Sequence, residues 1–305
     1  MKIDVQSFML KKVIYSLIAL FFISVSYKGQ RHEIGVQLGM SNLVGDIGRT
    51  NYIFQKPVRR NIADYGVPFY GSILYRMNFN PYQTVRLNLA YNHIQFIDAL
   101  AKEQYRRNRK LWGTNSIVEA DLIFEYNFFP VNEEQKGMLS PYIFGGLGAM
   151  LASAPQLVVV NDFRRDANGN AIKPTSANDF ETNSTYTSGK KLTMAIPFGV
   201  GLKYKFNYNW SLFGEFMFRP TFSDSIDYSM IDDKSVKITY NKDIYAQGST
   251  SKSLLQEDPY KTVAEDNVAK LLENRQLGNI NSKDWVNTVS LGLSYSFGRP
   301  PCYCD

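Results

Sequence analysis

The chain has 305 residues and a formal charge of +6, with 44% hydrophobic and 14% aromatic residues but a mean hydropathy of only −0.26. A helical membrane protein is excluded after the N-terminal segment, because each span needs about 20 consecutive apolar residues and no such stretch is present. Nucleic-acid binding is not expected either, because the basic residues do not gather in one run with interleaved aromatics.

Residues 1–29 have the features of an export signal peptide. Two lysines precede the apolar run 13–25, whose length suits a signal peptide and is too short to span a membrane comfortably. A small-x-small motif predicts cleavage after Ser26, and cleavage after Gly29 is the alternative. The mature protein, residues 30–305, is therefore predicted to leave the cytoplasm, and to be either periplasmic or held in the outer membrane by a closed barrel.

Eight segments of the mature chain alternate apolar and polar residues with the period of a β-strand. These segments are 32–41, 69–79, 83–97, 116–128, 141–151, 190–206, 209–219 and 285–297. In the fourth segment Val118, Leu122 and Phe124 share one face, while Glu119 and Asp121 share the other. The pattern predicts an all-β protein. By itself it also suits a soluble β-sandwich or a lipocalin-like barrel with the apolar face inside.

The connections between these segments alternate in length along the chain. Shorter turns follow the even-numbered segments, at 80–82, 129–140 and 207–209. Long connections follow the odd-numbered segments, at 42–68, 98–115, 152–189 and 220–284. Short periplasmic turns and long external loops are characteristic of outer-membrane barrels. The sequence therefore predicts an eight-stranded antiparallel up-and-down transmembrane β-barrel with long extracellular loops.

Two of the long connections carry predicted local structure. Residues 260–276 have an apolar stripe at helical spacing and are followed by Gly278 as a stop signal, which predicts a helix in the last long loop. The segment Asp166–Asn170 superficially resembles a calcium-binding loop, but its glycine falls too early and no acidic residue stands at the twelfth place. A hairpin turn is predicted there instead.

An eight-stranded barrel has an interior just wide enough for side chains. Charged residues on the polar strand faces are expected to meet there in opposite-sign pairs, because an unpaired buried charge is costly. This predicted lumen charge cluster comprises Arg76, Arg86, Glu119, Asp121, Glu125, Lys203, Lys205, Glu215 and Arg219. A salt-bridged plug that locks the barrel is the favoured interpretation, and a path for protons or solutes is the alternative.

Catalytic and metal-binding signals are sparse in the sequence. Neither His32 nor His93 has metal-ligand spacing with another histidine or cysteine, and no Gly-x-Ser-x-Gly elbow is present. We therefore expect no enzymatic activity and no cofactor. Cys302 and Cys304 lie in the final four residues, which excludes a core disulfide framework. They are predicted to be surface thiols, with an oxidised pair or an intermolecular bond as the alternative.

Several short segments follow one another in a recognisable order along the mature chain. They are Gly35–Gly48, Leu74–Asn80, Leu139–Gly148, Ile196–Phe206, Glu215, Arg219, Asp224–Asp227 and Phe297–Cys302. In this order they resemble the PorG-type family of Bacteroidetes outer-membrane proteins, which is linked to type IX secretion. The resemblance covers nearly the whole mature chain. It implies an outer-membrane location, no catalytic residues, and contact with the periplasmic PorK–PorN ring of the secretion and gliding machinery.

A small plugged barrel cannot pass a folded protein, but it can anchor a periplasmic ring through its turns and tail. Candidate contacts in segment 130–140 and in the tail are Glu133, Glu134, Lys136, Arg299, Cys302 and Cys304. Two alternatives are kept. One is a stand-alone structural or ligand-binding barrel of the OmpA or OmpX type, and the other is a lipid-modifying barrel enzyme that uses His93 with a loop serine or aspartate.

Overall fold

The computed structural model describes most of the predicted mature chain. The described residues are 31–49, 66–132, 137–207, 209–242, 244–245, 248–249, 253–275, 277–279 and 282–298. The predicted signal peptide and all six candidate partner contacts (Glu133, Glu134, Lys136, Arg299, Cys302 and Cys304) lie outside these residues. Within them, no helix is both long and apolar enough to cross a membrane.

Most of the described residues belong to β-strands. The strands are β1 (Arg31–Val44), β2 (Phe69–Asn78), β3 (Gln83–Ile97), β4 (Trp112–Asn127), β5 (Met138–Asp162), β6 (Glu181–Ala195), β7 (Phe198–Lys205), β8 (Trp210–Pro220), β9 (Val236–Tyr240), β10 (Ile244–Tyr245), β11 (Gly248–Ser249) and β12 (Trp285–Phe297). The helices are α1 (Gln104–Arg109) and α2 (Tyr260–Arg275), with 3-10 helices at Asp98–Leu100, Asp233–Ser235 and Leu254–Gln256.

The strands close into a ring of eight antiparallel strands, as predicted. Neighbours in sequence pair from β1 to β5, β5 pairs with β7, and β8 and β12 complete the ring by pairing with β7 and β1. The predicted strand 190–206 forms the sixth wall position as two pieces, β6 and β7, separated at Pro197. Proline has no N–H to donate to a ladder, but its carbonyl still accepts the Gly146 N–H at 2.8 Å.

The outer surface of the ring is a belt of exposed apolar side chains, and the prediction that the apolar faces point outward is confirmed. Aliphatic members of this belt include Ile34, Val36, Leu38, Ile73, Leu87, Leu89, Leu122, Leu147, Leu192, Met194, Val200, Leu202, Leu212 and Leu291. Many of the exposed aromatics lie at the end with the short turns: Tyr75, Tyr82, Tyr126, Phe128, Phe129, Tyr204, Phe206, Trp210, Tyr295 and Phe297. Such aromatic girdles mark the membrane–water interface of transmembrane barrels.

Most of the long connection predicted over 152–189 is an extension of the β5–β6 hairpin beyond the barrel, so β5 and β6 are longer than the predicted strands 141–151 and 190–206. β5 continues to Asp162 and β6 begins at Glu181, and the two strands pair along this whole length. β9 adds to the other edge of β5 in parallel. The upper half of β6 is rich in threonine and serine and is exposed on both faces. It therefore lacks the apolar alternation by which strands are recognised in a sequence.

The predicted helix in the last long loop is confirmed as α2, which packs on this hairpin. Val268 of α2 shares a buried cluster with Leu157 and Val159 of β5, and Ala264 shares a second cluster with Phe163. We call the upper β5–β6 hairpin, β9 and α2 the extracellular cap. The cap therefore has apolar clusters of its own beyond the barrel wall.

The predicted hairpin turn at Asp166–Asn170 is also confirmed. One carboxylate oxygen of Asp166 accepts the backbone N–H groups of Asn168 and Asn170 at 2.9 and 2.8 Å. The flanking residues Arg165 and Ala171 form an antiparallel bridge. The aspartate therefore supports a tight turn through its own backbone neighbours, as short polar side chains commonly do.

Two adjacent glycines of β5 allow a matched test of the packing between β4 and β5. A Cβ on Gly146 would lie 2.1 Å from the Leu122 carbonyl oxygen, whereas a Cβ on Gly145 would meet only the Pro197 carbonyl oxygen at 4.0 Å. We expect Gly146→Ala to lower the free energy of unfolding in detergent micelles by about 1–3 kcal/mol. Gly145→Ala is expected to change it by less than about 0.5 kcal/mol. Equal losses in the two variants would contradict this backbone geometry.

Candidate functional site in the barrel interior

The barrel interior collects the polar faces of all the wall strands, because successive side chains of a strand point to opposite sides. All nine residues of the predicted lumen charge cluster lie inside, and none is more than 1% exposed. They are Arg76, Arg86, Glu119, Asp121, Glu125, Lys203, Lys205, Glu215 and Arg219. The cluster forms three layers along the barrel axis: a central layer, a layer nearer the extracellular side and a layer nearer the periplasm.

The central layer joins two arginines and two glutamates. Arg76 Nε lies 3.1 Å from Glu125 Oε1, and Arg86 Nη1 lies 2.9 Å from the same oxygen. Glu215 Oε1 contacts both guanidinium groups, at 3.4 Å from Arg76 Nη2 and closer to Arg86. Glu215 also accepts hydrogen bonds from Gln37 Nε2, at 2.8 Å, and from the hydroxyl group of Tyr142. Glu215 is therefore the hub of this layer.

Three buried aromatic rings, which were not among the predicted interior residues, complete the central layer. The Arg76 guanidinium lies 4.1 Å from the centre of the Phe213 ring, and that of Arg86 lies 5.1 Å from the centre of Phe144. Stacking of this kind stabilises a cation where water is excluded. Phe213 and Tyr142 alternate with the outward-facing apolar residues of their strands, so their inward direction could be read from the sequence. They were not predicted to lie inside because aromatic residues in a barrel are expected at the membrane interface.

The layer nearer the extracellular side is built around Arg219. Its guanidinium pairs with Glu119, donates to Asn92 Oδ1 at 3.3 Å and lies 5.4 Å from the centre of the Tyr70 ring. Asn92 in turn donates to Glu119 at 3.1 Å. Asp121 is held differently, because among the described residues it has no ion pair and instead accepts a 3.0 Å hydrogen bond from Asn88.

The layer nearer the periplasm pairs Lys203 with a residue outside the predicted cluster. Lys203 Nζ lies 2.8 and 3.0 Å from the two carboxylate oxygens of Glu33. Asn78 and Ser294 donate to the same carboxylate at 2.9 and 3.2 Å. Glu33 stood on the polar face of the first predicted strand, so its inward direction was available from the sequence. Its partner was not, because pairing across the lumen depends on barrel closure.

The β4–β5 turn closes the periplasmic end of the barrel. Val131 and Asn132 are buried, so the described start of segment 130–140 folds into the barrel mouth. The Asn132 backbone carbonyl accepts from Arg31 at 3.1 Å and from Lys205 at 3.4 Å. Its side-chain amide donates to Thr84 at 3.1 Å. Lys205 thus contacts a backbone carbonyl of the turn.

These contacts describe an interior filled by paired charges, amides and aromatic rings. Within the described ranges, no group of three or more histidine, cysteine or acidic residues is arranged to hold a metal ion. Of the two histidines, His32 Nδ1 lies 2.7 Å from the Tyr75 hydroxyl group at the periplasmic girdle, and His93 lies 3.3 Å from Ser116 Oγ. The arrangement is chemically suited to hold the wall strands in register, because removing one member leaves another charge buried and unpaired.

The extracellular mouth contains a separate group of carboxylates, which were not predicted to form a site. Asp284 accepts the Ile226 N–H at 2.8 Å, and Asp227 accepts the Ile47 N–H at 2.8 Å. Asp284 Oδ1 and Asp227 Oδ2 both approach Gly45, lying 2.4 and 2.6 Å from the position that a Cβ would occupy. The pKa of Asp284 is raised well above its usual value, mainly by burial and secondly by the negative charge of the nearby Asp227. Burial, with Asp46 as the next cause, raises the pKa of Asp224 to about 7.

These raised pKa values predict that the mouth loosens as the pH rises. A carboxyl group whose pKa is higher in the folded state contributes stability below its unfolded pKa of about 4 and loses it as the pH rises through the folded pKa. We expect the protection factors for hydrogen exchange in 222–235, which correct for the intrinsic exchange rate at each pH, to be lower at pH 8 than at pH 5. Asp284→Asn, which mimics the protonated group, should weaken this dependence. The exposed control Asp266→Asn should leave it unchanged. Protection factors in the unmodified protein that are equal at the two pH values, or higher at pH 8, would contradict the prediction.

Comparisons with known proteins place the chain in a family. The sequence matches no curated protein. Among solved structures it is similar to Ail, the attachment invasion locus protein of Yersinia pestis, at 12% identity and a TM-score of 0.37, over 88% of this chain and 99% of Ail. It is also similar to Neisserial surface protein A, at 10% identity and a TM-score of 0.33, over 88% of this chain and 97% of that protein. Residues 11–177 and 262–305 match the family described as "Domain of unknown function (DUF6089)", and the chain belongs to that family.

Proposed function

We propose that this protein is a non-catalytic outer-membrane scaffold of the type IX secretion and gliding machinery, which anchors the periplasmic PorK–PorN ring to the outer membrane. The observation that carries the proposal is the filled interior. Arg76, Arg86, Glu125 and Glu215 occupy the centre of the barrel and are at most 1% exposed. A barrel closed in this way is suited to present its two ends to partners.

The periplasmic end supports the proposal because its turns are held in place by hydrogen bonds. Asn80 accepts the backbone N–H groups of Tyr82 and Gln83 at 2.9 and 2.8 Å. Asn207 accepts that of Trp210 at 2.8 Å. Turns fixed by their own side chains lose little conformational freedom on binding, which favours their use as a docking surface. The candidate contacts Glu133, Glu134 and Lys136 follow directly after the anchored Asn132 in the chain.

The choice of the PorK–PorN ring as the partner depends on the resemblance to PorG-type proteins. That resemblance rests on the order in which the segments from Gly35–Gly48 to Phe297–Cys302 follow one another along the chain. The proposed ring contacts are therefore the β4–β5 turn and the tail that follows β12. We place both on the periplasmic side, because the short turns of outer-membrane barrels face the periplasm and β12 runs towards that side. Cys302 and Cys304 belong to this tail and are candidates for a covalent link to the partner in an oxidising compartment.

The proposal is tested by co-purification of the full-length tagged protein from outer membranes in mild detergent, followed by mass spectrometry. We expect recovery of a ring lipoprotein and its partner. Deletion of 299–305, or the charge reversals Glu133→Lys and Glu134→Lys together, should reduce that recovery. The matched control is Glu273→Lys on the exposed face of α2, which should leave recovery unchanged. Recovery of only unrelated envelope proteins would refute the ring attachment.

A second candidate function is a stand-alone barrel that binds a ligand outside the cell. The observation that favours it is the extracellular cap, in which α2 shares one buried apolar cluster with β5 and a second with Phe163 and neighbouring loop residues. A strain that lacks the gene separates the two functions. Loss of secretion of a type IX reporter protein supports the ring anchor, whereas normal secretion supports the stand-alone barrel.

A further inference from the structure

A cleft opens in the barrel wall just above the lipid-facing belt, on the side where β6 leaves the ring. The last pairing between β6 and the following wall is the Ala195–Thr221 bridge, together with the Phe222 N–H bond to the Met194 carbonyl oxygen at 3.1 Å. Above this point, in the described part of the chain, segment 222–235 diverges from β6. The cleft between them has a volume of about 680 Å³.

The cleft has an excess of positive charge. Three lysines line it, Lys190 and Lys191 from β6 and Lys234 from the 3-10 helix Asp233–Ser235, together with one acidic residue, Asp232. Lys191 pairs with Asp232 and also donates to Ser223 and Ser225, so its charge is already compensated. Lys190 and Lys234 are exposed and leave the cleft with a net positive charge.

The lower part of the cleft is apolar and continuous with the lipid-facing belt. Leu192, Met194 and Phe222 line it and are 70%, 54% and 66% exposed. Lys190 lies on the same outward row of β6 as Leu192, about 7 Å further along the strand at two residues' rise. The Lys190 ammonium donates to Ser153 Oγ at 3.1 Å and remains exposed. A ligand of this cleft therefore meets hydrocarbon-compatible side chains below and solvent-exposed ammonium groups above.

We propose that this cleft binds the phosphorylated head group of an outer-leaflet glycolipid, lipid A, with the phosphate beside Lys190 and Lys234 and the acyl chains against Leu192, Met194 and Phe222. A positively charged site directly above an apolar surface fits a single molecule that joins an anionic head group to acyl chains below it. Basic side chains at a membrane interface attract anionic head groups, and their long apolar stems suit this position. A bound lipid would fix the cap to the membrane beside β6.

The test uses full-length protein in phosphatidylcholine nanodiscs that contain a defined fraction of phosphorylated lipid A, with retained lipid A counted by native mass spectrometry. We expect the double variant Lys190→Gln and Lys234→Gln to bind lipid A about tenfold more weakly or worse, given the contribution of each lysine near an anionic surface. Lys237→Gln is the matched control, because Lys237 is an exposed lysine of β9 that does not line the cleft. Heat-modified migration on gels checks that each variant is folded.

Dephosphorylated lipid A and inorganic phosphate complete the test. The proposal expects dephosphorylated lipid A to bind the unmodified protein at least about tenfold more weakly, and inorganic phosphate at equal concentration not to displace the lipid. It is overturned if the double variant retains lipid A as well as the unmodified protein does, or if Lys237→Gln loses as much. Full displacement by free phosphate would also overturn it. The inference depends only on the barrel and not on the ring attachment, so recovery of the ring and binding of lipid A can fail separately.

Discussion

Replacement of Glu215 by alanine is expected to lower the free energy of unfolding by about 3–5 kcal/mol, the range for removing one partner of a buried ion pair. Glu215 contacts Arg76 and Arg86, and it also accepts from Gln37 and Tyr142. Without it, Arg86 keeps only Glu125 as an ion-pair partner, Arg76 keeps Glu125 and a longer 3.8 Å contact with Glu33, and two neutral donors each lose an acceptor. The destabilisation arises from these uncompensated groups and not from the net strength of the original pairs.

Urea unfolding in detergent micelles, followed by tryptophan fluorescence, measures this effect. Glu273→Ala is the matched control, because Glu273 lies exposed on α2, and its loss should remain within about 0.5 kcal/mol. A Glu215→Ala barrel as stable as the unmodified protein would show that the interior charges do not lock the fold. A large conductance of the unmodified protein in a planar bilayer would equally contradict a filled interior.

Replacement of Arg219 by methionine is also expected to lower the free energy of unfolding by about 3–5 kcal/mol. In this case the group left buried without its partner is a carboxylate and not a guanidinium. Arg219 is the ion-pair partner of Glu119, and it also bonds to Asn92, Thr288 and the Val286 carbonyl oxygen. Methionine retains much of the side-chain volume but leaves Glu119 buried, with the acidic Asp121 two residues further along β4. Two buried carboxylates without a nearby cation destabilise the layer.

A double variant distinguishes loss of the ion pair from loss of packing. Glu119→Gln in the Arg219→Met background removes the orphaned charge, so the double variant should be more stable than the sum of the single losses predicts. Residues in direct contact typically show coupling of about 0.5–3 kcal/mol. Strict additivity would mean that Arg219 stabilises the barrel by packing alone. Tm values in the same detergent provide an independent check on the order of the variants.

Residue type and spacing were sufficient to predict the wall of the barrel. Alternation in segments such as 116–128 assigns each side chain to one face, because the period of a strand is two. Charged residues such as Glu119 and Glu125 must then lie inside if the apolar residues meet lipid. The parity of loop lengths supplied the direction of the strands. These features depend on near neighbours in the chain, and for that reason they could be predicted from the sequence.

Pairing across the barrel could not be predicted in this way. Lys203 was expected to meet one of the predicted acidic residues, but its carboxylate partner is Glu33, 170 positions away in sequence. The lumen diameter and the strand stagger decide which side chains reach each other, and these are properties of the closed ring. Asn132 became part of the interior only because the β4–β5 turn folds into the mouth.

A barrel of eight strands with an apolar outside and a charged inside follows from the amino-acid sequence alone, because alternation and loop parity are local properties of the chain. The continuation of β5 and β6 beyond the membrane as a hairpin is visible only in the folded protein. The threonine- and serine-rich half of β6 has no apolar face of its own, and it is ordered by its ladder to β5, which in turn packs on α2. Gly145 and Gly146 make the same point at the scale of one residue. They are adjacent and chemically identical, yet only Gly146 meets the β4 backbone closely, because the register of β4 and β5 exists only in the folded protein.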